Sequence, residues 1–141
     1  MGEDIQKDVQ RLYAEYVFLR QLAETLNRNL TLLNNLLAEI RVTQEAIKEI
    51  EKISESNDVI VSIGGMVFLK ARLPSRDRVL INIGSNVVVE KSHEEALEYL
   101  KNKEENLKTE LERTNNSYIQ VINRMKQLEQ LLKQFSEKGR R

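Results

Sequence analysis

The most constraining feature of this sequence is the stretch from Glu3 to Ser54, which contains neither glycine nor proline. Its apolar residues alternate at spacings of four and three, which is the 3.5-residue period of a coiled-coil seam. An amphipathic helix lying on a globular core is the alternative, but this stretch is far longer than the usual helix of ~11–12 residues. The seam comprises Ile5, Val9, Leu12, Tyr16, Leu19, Ala23, Leu26, Leu30, Leu33, Leu37, Ile40, Gln44 and Ile47.

A second long helix is predicted from Ser92 to Lys138. Ser92 and Glu95 have the spacing of a capping box at its start, and Gly139 suits the position just past its end. The four-three spacing returns at Leu97, Leu100, Glu104, Leu107, Leu111, Thr114, Tyr118, Val121, Met125, Leu128, Leu132 and Phe135.

Between the helices the apolar period changes from 3.5 to 2, as expected for strands. The segment 61–70 (VSIGGMVFLK) recurs twenty residues later as segment 81–90 (INIGSNVVVE). Each copy is a β-branched run, a turn containing glycine and a second run, which predicts a β-hairpin. The turns are expected at Gly64-Gly65 and Gly84-Ser85, and residues 74–77 (PSRD) supply a turn between the two hairpins.

Two short hairpins return the chain beside its own start, so the two helices are expected to pack antiparallel. Facing seam residues then have a nearly constant sum of residue numbers, as in Leu12 with Phe135. This register places Gln44, the polar residue of the first seam, opposite Glu104, the charged residue of the second. A polar layer of this kind fixes the register of a coiled coil at some cost in stability.

The hairpins carry more apolar surface than the rest of the chain is expected to cover, because the helices are occupied with each other. Neither face of the strands is polar along its length, and two isolated hairpins are marginally stable. We therefore expect other chains to complete the strand edges and faces by β-augmentation and barrel-like closure, so that the protein is not a stable monomer. The assembly residues are predicted to be Val59, Ile60, Val61, Ile63, Val67, Phe68, Leu69, Val79, Leu80, Ile81, Ile83, Val87, Val88 and Val89.

The sequence offers no recognisable active site, and we predict a protein that is not an enzyme. It has no cysteine, and His93 is the single histidine, so a thiolate zinc site and a pair of histidine ligands are excluded. His93 lies within the predicted helix cap and is interpreted as a helix-start residue. The Gly64-Gly65 pair lacks the lysine and the strand-to-helix context of a phosphate loop. No catalytic residue, metal or cofactor is predicted.

Charge and hydropathy exclude two classes of partner. The 22 basic and 22 acidic residues balance, whereas a nucleic-acid binder carries a basic surplus. The longest uncharged runs, Val59–Leu69 and Val79–Val89, are too short to cross a bilayer. The N-terminus also lacks the basic and apolar regions of a signal peptide. A soluble, cytoplasmic protein is expected.

The end of the helix pair that carries both termini has two interpretations. Its apolar side chains either close the coiled coil or, where the helix ends fray, form an adhesive surface for non-native polypeptide. Tyr13 and Leu131 lie off the strict seam, which favours a surface role for this tip. The candidate tip residues are Ile5, Val9, Leu12, Tyr13, Leu128, Leu131, Leu132 and Phe135.

Taken together, the order of helix, two glycine-turn hairpins and helix resembles the α-type subunits of the prefoldin family. The two hairpins are the most specific part of the resemblance, since β-type subunits of the family have one. They are carried by segments 61–71 and 79–91, followed by Glu94-Glu95-Ala96. The absence of cysteine and the many Glu, Lys and Ile residues suit an archaeal source.

The resemblance implies a mainly α fold with a small β region, namely a long antiparallel two-helix coiled coil whose two hairpins join an intersubunit β-barrel. It implies one domain, with helices at 3–54 and 92–138 and the double hairpin at 58–91. It also implies an ATP-independent co-chaperone in which two α-type and four β-type subunits form a hexamer. The arm tips of that hexamer hold unfolded polypeptides and deliver them to a group II chaperonin. A structural coiled-coil adaptor that binds one folded partner remains the alternative.

Overall fold

The computed structural model describes residues 2–52, 58–73 and 77–139. Helix α1 spans Gly2–Lys52 and helix α2 spans His93–Gly139. Four strands lie between them: β1 (Asp58–Gly64), β2 (Val67–Arg72), β3 (Arg78–Gly84) and β4 (Val87–Ser92). The predicted fold class, mainly helical with two small hairpins, is therefore confirmed. The expected extension of the first helix to Ser54 and the inter-hairpin turn at residues 74–76 lie outside the described residues.

The predicted seams are the buried faces of both helices. Every seam position of α1 except Ile5 is buried or half-buried, and so is every seam position of α2. Leu37, Met125 and Leu128 are among the most buried apolar residues, and Leu128 is fully covered. The 3.5-residue period therefore identified the packing face of each helix correctly.

The chain divides into two compact units, each built from parts of both helices. The first unit comprises residues 1–36 and 107–141, and the second comprises residues 37–106. In the first, Tyr16 lies against Glu129, while Leu30 and Leu111 line one shallow groove. In the second, Gln44 meets Glu104 and Glu51 meets His93. In both units, residues closer to the start of α1 lie beside residues closer to the end of α2. The two helices are therefore antiparallel.

The predicted polar layer is present in the second unit. Gln44 Nε2 donates a hydrogen bond to Glu104 Oε2 at 3.1 Å, and the Glu104 side chain is 17% exposed. Arg41 Nε lies 3.7 Å from the other carboxylate oxygen of Glu104. The register inferred from facing seam positions is thus confirmed at this layer.

Each hairpin forms its own two-stranded antiparallel sheet, β1 with β2 and β3 with β4. The turns lie one residue later than expected, at residues 65–66 and 85–86. In the first hairpin Ser62 pairs with Phe68 and Gly64 pairs with Val67, so Ile63 is an extra residue in a β-bulge. The second hairpin has the same register shift between Asn82 and Gly84.

The bulges explain the displaced turns. Gly64 and Gly84 have φ angles of 118° and 117°, a region that disfavours residues with a Cβ atom. The glycines are therefore required at the bulge, next to the turn, rather than at both turn positions. In the second hairpin Ser85 and Asn86 have φ of 52° and 62°, the φ signs of a type I′ turn.

Candidate assembly and client-binding surfaces

The start of α2 is fixed by the predicted capping box. The Glu95 N–H donates to Ser92 Oγ at 3.1 Å, and the Ser92 hydroxyl donates to Glu95 Oε1 at 3.1 Å. The hydrogen bond from Ser92, with a second from Lys91, lowers the pKa of Glu95. The helix therefore begins directly after β4, at the junction between the hairpin and the helices.

His93 is the first residue of α2, in agreement with its interpretation as a helix-start residue. Its ring is buried, and Nδ1 lies 3.2 Å from Glu51 Oε1 near the end of α1. This contact ties the last described turn of α1 to the first turn of α2. The Nε2 atom is buried without a hydrogen-bond partner among the described residues.

The two hairpins differ in how far the helices cover them. In the second hairpin Val79, Ile81 and Val89 are half-buried, whereas Leu80 and Val88 on the other face are 74% and 54% exposed. Strand β3 lies over the helices around a cavity of about 390 Å³. The cavity is lined by Thr43, Ala46, Ile47, Ile50, Val79, Leu80, Ile81, Asn82, Ala96 and Leu100. The expectation that the helices leave both hairpins uncovered was thus wrong for one face of the second hairpin.

The first hairpin is exposed on both faces within this chain. Its side chains are at least 46% exposed at Val61, Ile63, Val67, Phe68 and Leu69, and Ile60 is 71% exposed. The other assembly residues divide between the half-buried Val59 and the exposed Ile83 and Val87. Each hairpin forms a separate two-stranded sheet, so no further strand within residues 58–73 and 77–92 pairs with its outer edges. Apolar side chains and free edges together form a surface suited to other strands.

The predicted tip residues do not share one environment. Ile5 and Tyr13 are 50% and 61% exposed. In contrast, Val9, Leu12, Leu131, Leu132 and Phe135 are half-buried. Leu128 is fully buried, so it offers no surface while the two helices stay packed.

Polar contacts join the helices close to these residues. Arg124 Nε and Nη2 donate to the two carboxylate oxygens of Glu15 at 2.8 and 3.2 Å. This hydrogen bonding lowers the pKa of Glu15. Tyr16 donates to Glu129 at 2.9 Å, which raises the pKa of Tyr16. The first unit is therefore held together by oriented polar pairs as well as by its seam.

Helix α1 carries an additional apolar surface that the seam positions did not predict. Phe18 and Leu32 are 64% and 57% exposed, and Leu36 is 37% exposed. They lie beside the seam, and the four-three spacing through positions 18, 22, 25, 29, 32 and 36 was available in the sequence. The stronger seam adjacent to them concealed this second pattern.

The described residues show neither a metal-ligating cluster nor a helix suited to a bilayer span. Residues 2–52, 58–73 and 77–139 contain no group of three or more potential metal-ligating side chains. No helix within those ranges combines the length and apolar character that a bilayer span requires.

Comparison with known proteins agrees with the fold. The family model described as "Prefoldin subunit" matches residues 19–138. A prefoldin subunit alpha of Thermofilum pendens is 34% identical over 120 residues, which cover 85% of this chain and 93% of that relative. One from Archaeoglobus fulgidus is 32% identical over 127 residues, covering 90% and 93%.

A similar fold is found in a cryo-EM structure described as filamentous PFD from Methanocaldococcus jannaschii. The TM-score is 0.69 at 20% sequence identity, covering 84% of this chain and 96% of the other. This likeness concerns the fold alone, whereas the family match and the archaeal relatives concern the sequence over most of its length. The chain therefore belongs to the prefoldin family.

Proposed function

We propose that this chain is the α-type subunit of a cytoplasmic co-chaperone that works without ATP. Two copies and four β-type subunits form a hexamer through the hairpins, which close into an intersubunit β-barrel. The tips of the coiled-coil arms bind unfolded or nascent polypeptides, prevent their aggregation and transfer them to a group II chaperonin. The observation that carries this proposal is the exposure of apolar side chains on both faces of the first hairpin.

Assembly is favoured because the first hairpin, as part of a single chain, leaves apolar side chains and strand edges exposed to water. Exposed apolar area is unfavourable by roughly 25 cal/mol per Å² relative to burial, and unpaired strand edges invite pairing. Strands from a partner would bury the apolar area and pair with the strand edges at the same time. Client capture at the tips then requires no deep pocket, because several arms provide many weak contacts and the combined avidity is high.

The proposed client-binding function is tested by light scattering from a chemically denatured enzyme diluted into the assembled complex. Ile5→Ser with Tyr13→Ser removes the exposed part of the tip, and Leu131→Ser, Leu132→Ser and Phe135→Ser remove the half-buried part. Both sets are expected to weaken the suppression of aggregation while leaving the mass of the complex unchanged. Val42→Ser is the control, because Val42 is 69% exposed but is not a tip residue.

Undiminished suppression by both sets would remove the tip residues from the mechanism. Loss of suppression by the Val42→Ser control as well would show that the effect is not local to the tip.

A structural scaffold is the second candidate, because the first hairpin exposes apolar side chains on both of its faces. The same exposed hairpins can assemble into an open series instead of a closed ring. The mass of the complex with β-type subunits distinguishes the two, since a closed hexamer has one mass and a filament has a broad distribution. A scaffold also binds one folded partner stoichiometrically and leaves unrelated denatured proteins unprotected.

A further inference from the structure

A second set of evenly spaced residues runs along α1 within the first unit, beside the seam. We call it the lateral stripe. Its spacings are four, three, four, three and four, so it forms two adjacent rows of a helix surface. One of these rows adjoins the seam row of Leu19, Leu26 and Leu33. The lateral stripe consists of Phe18, Leu22, Thr25, Asn29, Leu32 and Leu36.

The spacing of the lateral stripe indicates the shape of what packs on it. Residues spaced by four and three along a helix meet another helix continuously, which is the pattern of anchors in helix-in-groove recognition. The same spacing continues along the sequence through the charged Glu39 to Thr43, Ala46 and Ile50. In the second unit those three residues line the cavity beside β3, where Ile50 is half-buried and Thr43 and Ala46 are exposed. In the lateral stripe, Phe18, Leu32 and Leu36 are 64%, 57% and 37% exposed.

The size of the lateral stripe indicates a weak and exchangeable partner. Its three exposed apolar side chains present roughly 300–400 Å² of surface, which is the size of a functional patch on a single chain. A stable protein interface buries about 800 Å² on each partner, so a permanent dimer is not expected here. Thr25 and Asn29 in the middle of the stripe further limit its apolar area.

Charge along the outer edge of the lateral stripe distinguishes a foreign helix from a second copy of this chain. That edge carries Gln21, Arg28 and Asn35, and Arg28 Nη2 donates to Thr25 Oγ1 at 3.1 Å. An antiparallel second copy centred on the stripe would bring the two Arg28 side chains together, which is unfavourable. A helix with an acidic flank would instead form an ion pair with Arg28.

We propose that the lateral stripe docks an amphipathic helical segment of a non-native polypeptide, with apolar residues at four-three spacing and an acidic flank. The inference rests on the proposed function, since it identifies a second contact surface for clients and the form in which they bind. It differs from the tip in its residues and in requiring a helical ligand.

The test uses the full chain in its assembled complex and three fluorescein-labelled peptides of eighteen residues. The first has leucines at four-three spacing with glutamates on the flank, and the second has the same leucines with lysines on the flank. The third is a scramble of the first. Fluorescence anisotropy gives the affinity, and circular dichroism of the peptide reports helix formation on binding.

The acidic amphipathic peptide is expected to bind best and to gain helicity. Phe18→Ser with Leu32→Ser should weaken its binding about tenfold, because two half-exposed side chains no longer contribute apolar area. Val42→Ser with Ile119→Ser is the matched control, since these side chains are 69% and 47% exposed and lie off the stripe. Arg28→Glu should reverse the preference between the acidic and basic peptides.

Equal affinity for the stripe and control variants would overturn the inference, and so would equal binding of the scrambled peptide. A concentration-dependent increase in mass that Phe18→Ser with Leu32→Ser abolishes would identify a second copy as the occupant and would also overturn it. The aggregation assay on the unaltered complex separates the two levels. If the complex suppresses aggregation but the peptides do not bind at the lateral stripe, this inference fails and the proposed function stands. If aggregation is not suppressed, the proposed function fails first.

Discussion

At the scale of single residues, oriented polar pairs and a few backbone positions determine local stability. The bidentate contact of Arg124 with Glu15 favours the ionised carboxylate and therefore lowers its pKa. A carboxyl group whose pKa is lower in the folded state stabilises the fold above its unfolded pKa. That contribution is lost as the pH falls through the folded pKa.

We therefore expect acid to weaken the first unit partly through Glu15. Glu15→Gln should lower stability near neutral pH and flatten its decline on acidification below pH ~4, because the group that titrates there is gone. Urea unfolding of the assembled complex at several pH values measures this difference. Glu112→Gln is the comparison, since residue 112 is an exposed glutamate in a helix. Identical pH profiles for Glu15→Gln and the unaltered chain would contradict the assignment.

The bulge glycines are the second residue-scale feature. Gly84 has φ of 117°, and its N–H donates to Asn82 Oδ1 at 2.9 Å. Space around the position is open, so the cost of a side chain here comes from the backbone and not from a clash.

Gly84→Ala is expected to destabilise the second hairpin by roughly 1–3 kcal/mol, because alanine is strained at this φ. Asn86→Gly should be neutral or stabilising, since Asn86 has φ of 62° and glycine relieves that conformation. Thermal unfolding of the complex followed by circular dichroism compares the two variants. Equal transition temperatures for both would show that the bulge does not control hairpin stability.

At the scale of elements, the apolar period predicted which face of each helix is buried. It did not predict the exact turn positions or the strand that the helices cover. A repeat of 3.5 specifies which helix face is buried, and the coincidence of Gln44 with Glu104 set the register. The turn positions were displaced because a glycine signal does not distinguish a bulge from a turn. The cover of Val79 and Ile81 by the helices was missed because strand alternation carries no information about neighbours in space. Assembly with other chains and an adhesive tip were inferred from the apolar residues themselves, whereas the hexamer and the delivery of clients to a chaperonin rested on the family resemblance.

The polar layer gives the element-scale prediction. Gln44→Leu alone should lower the free energy of unfolding, because the part-buried hydrogen bond that Gln44 donates to Glu104 is lost. Gln44→Leu with Glu104→Leu should raise it by about 1–4 kcal/mol, since two apolar residues replace a desolvated polar pair. Urea unfolding of the complex measures both changes. A double variant less stable than the single one would contradict this account of the layer.

At the scale of the whole molecule, the exposed apolar surfaces of this chain determine which complexes it can form with other chains. The first hairpin exposes Ile60, Phe68 and their neighbours on both faces, while the second hides one face against the helices. The first hairpin is therefore the hairpin with more apolar surface left for another chain to cover.

Deleting residues 59–73 should abolish assembly with β-type subunits, because it removes most of this hairpin. Native mass spectrometry of the mixture measures the outcome, and circular dichroism confirms that the helices persist. A complex of unchanged stoichiometry, smaller only by the deleted segments, would refute the role of the first hairpin. A matched comparison is Leu80→Lys with Val88→Lys, which charges the exposed face of the second hairpin and leaves its backbone intact.

The exposed first hairpin also has a consequence for how the cell supplies this protein. A newly made chain that meets no partner subunit exposes the apolar strands of its first hairpin. These strands can then associate with those of other unassembled copies. Under the proposed assembly, an excess of this chain over its partner subunits therefore favours aggregation. Overproduced alone, the chain should accumulate in the insoluble fraction, and co-expression should return it to the soluble one.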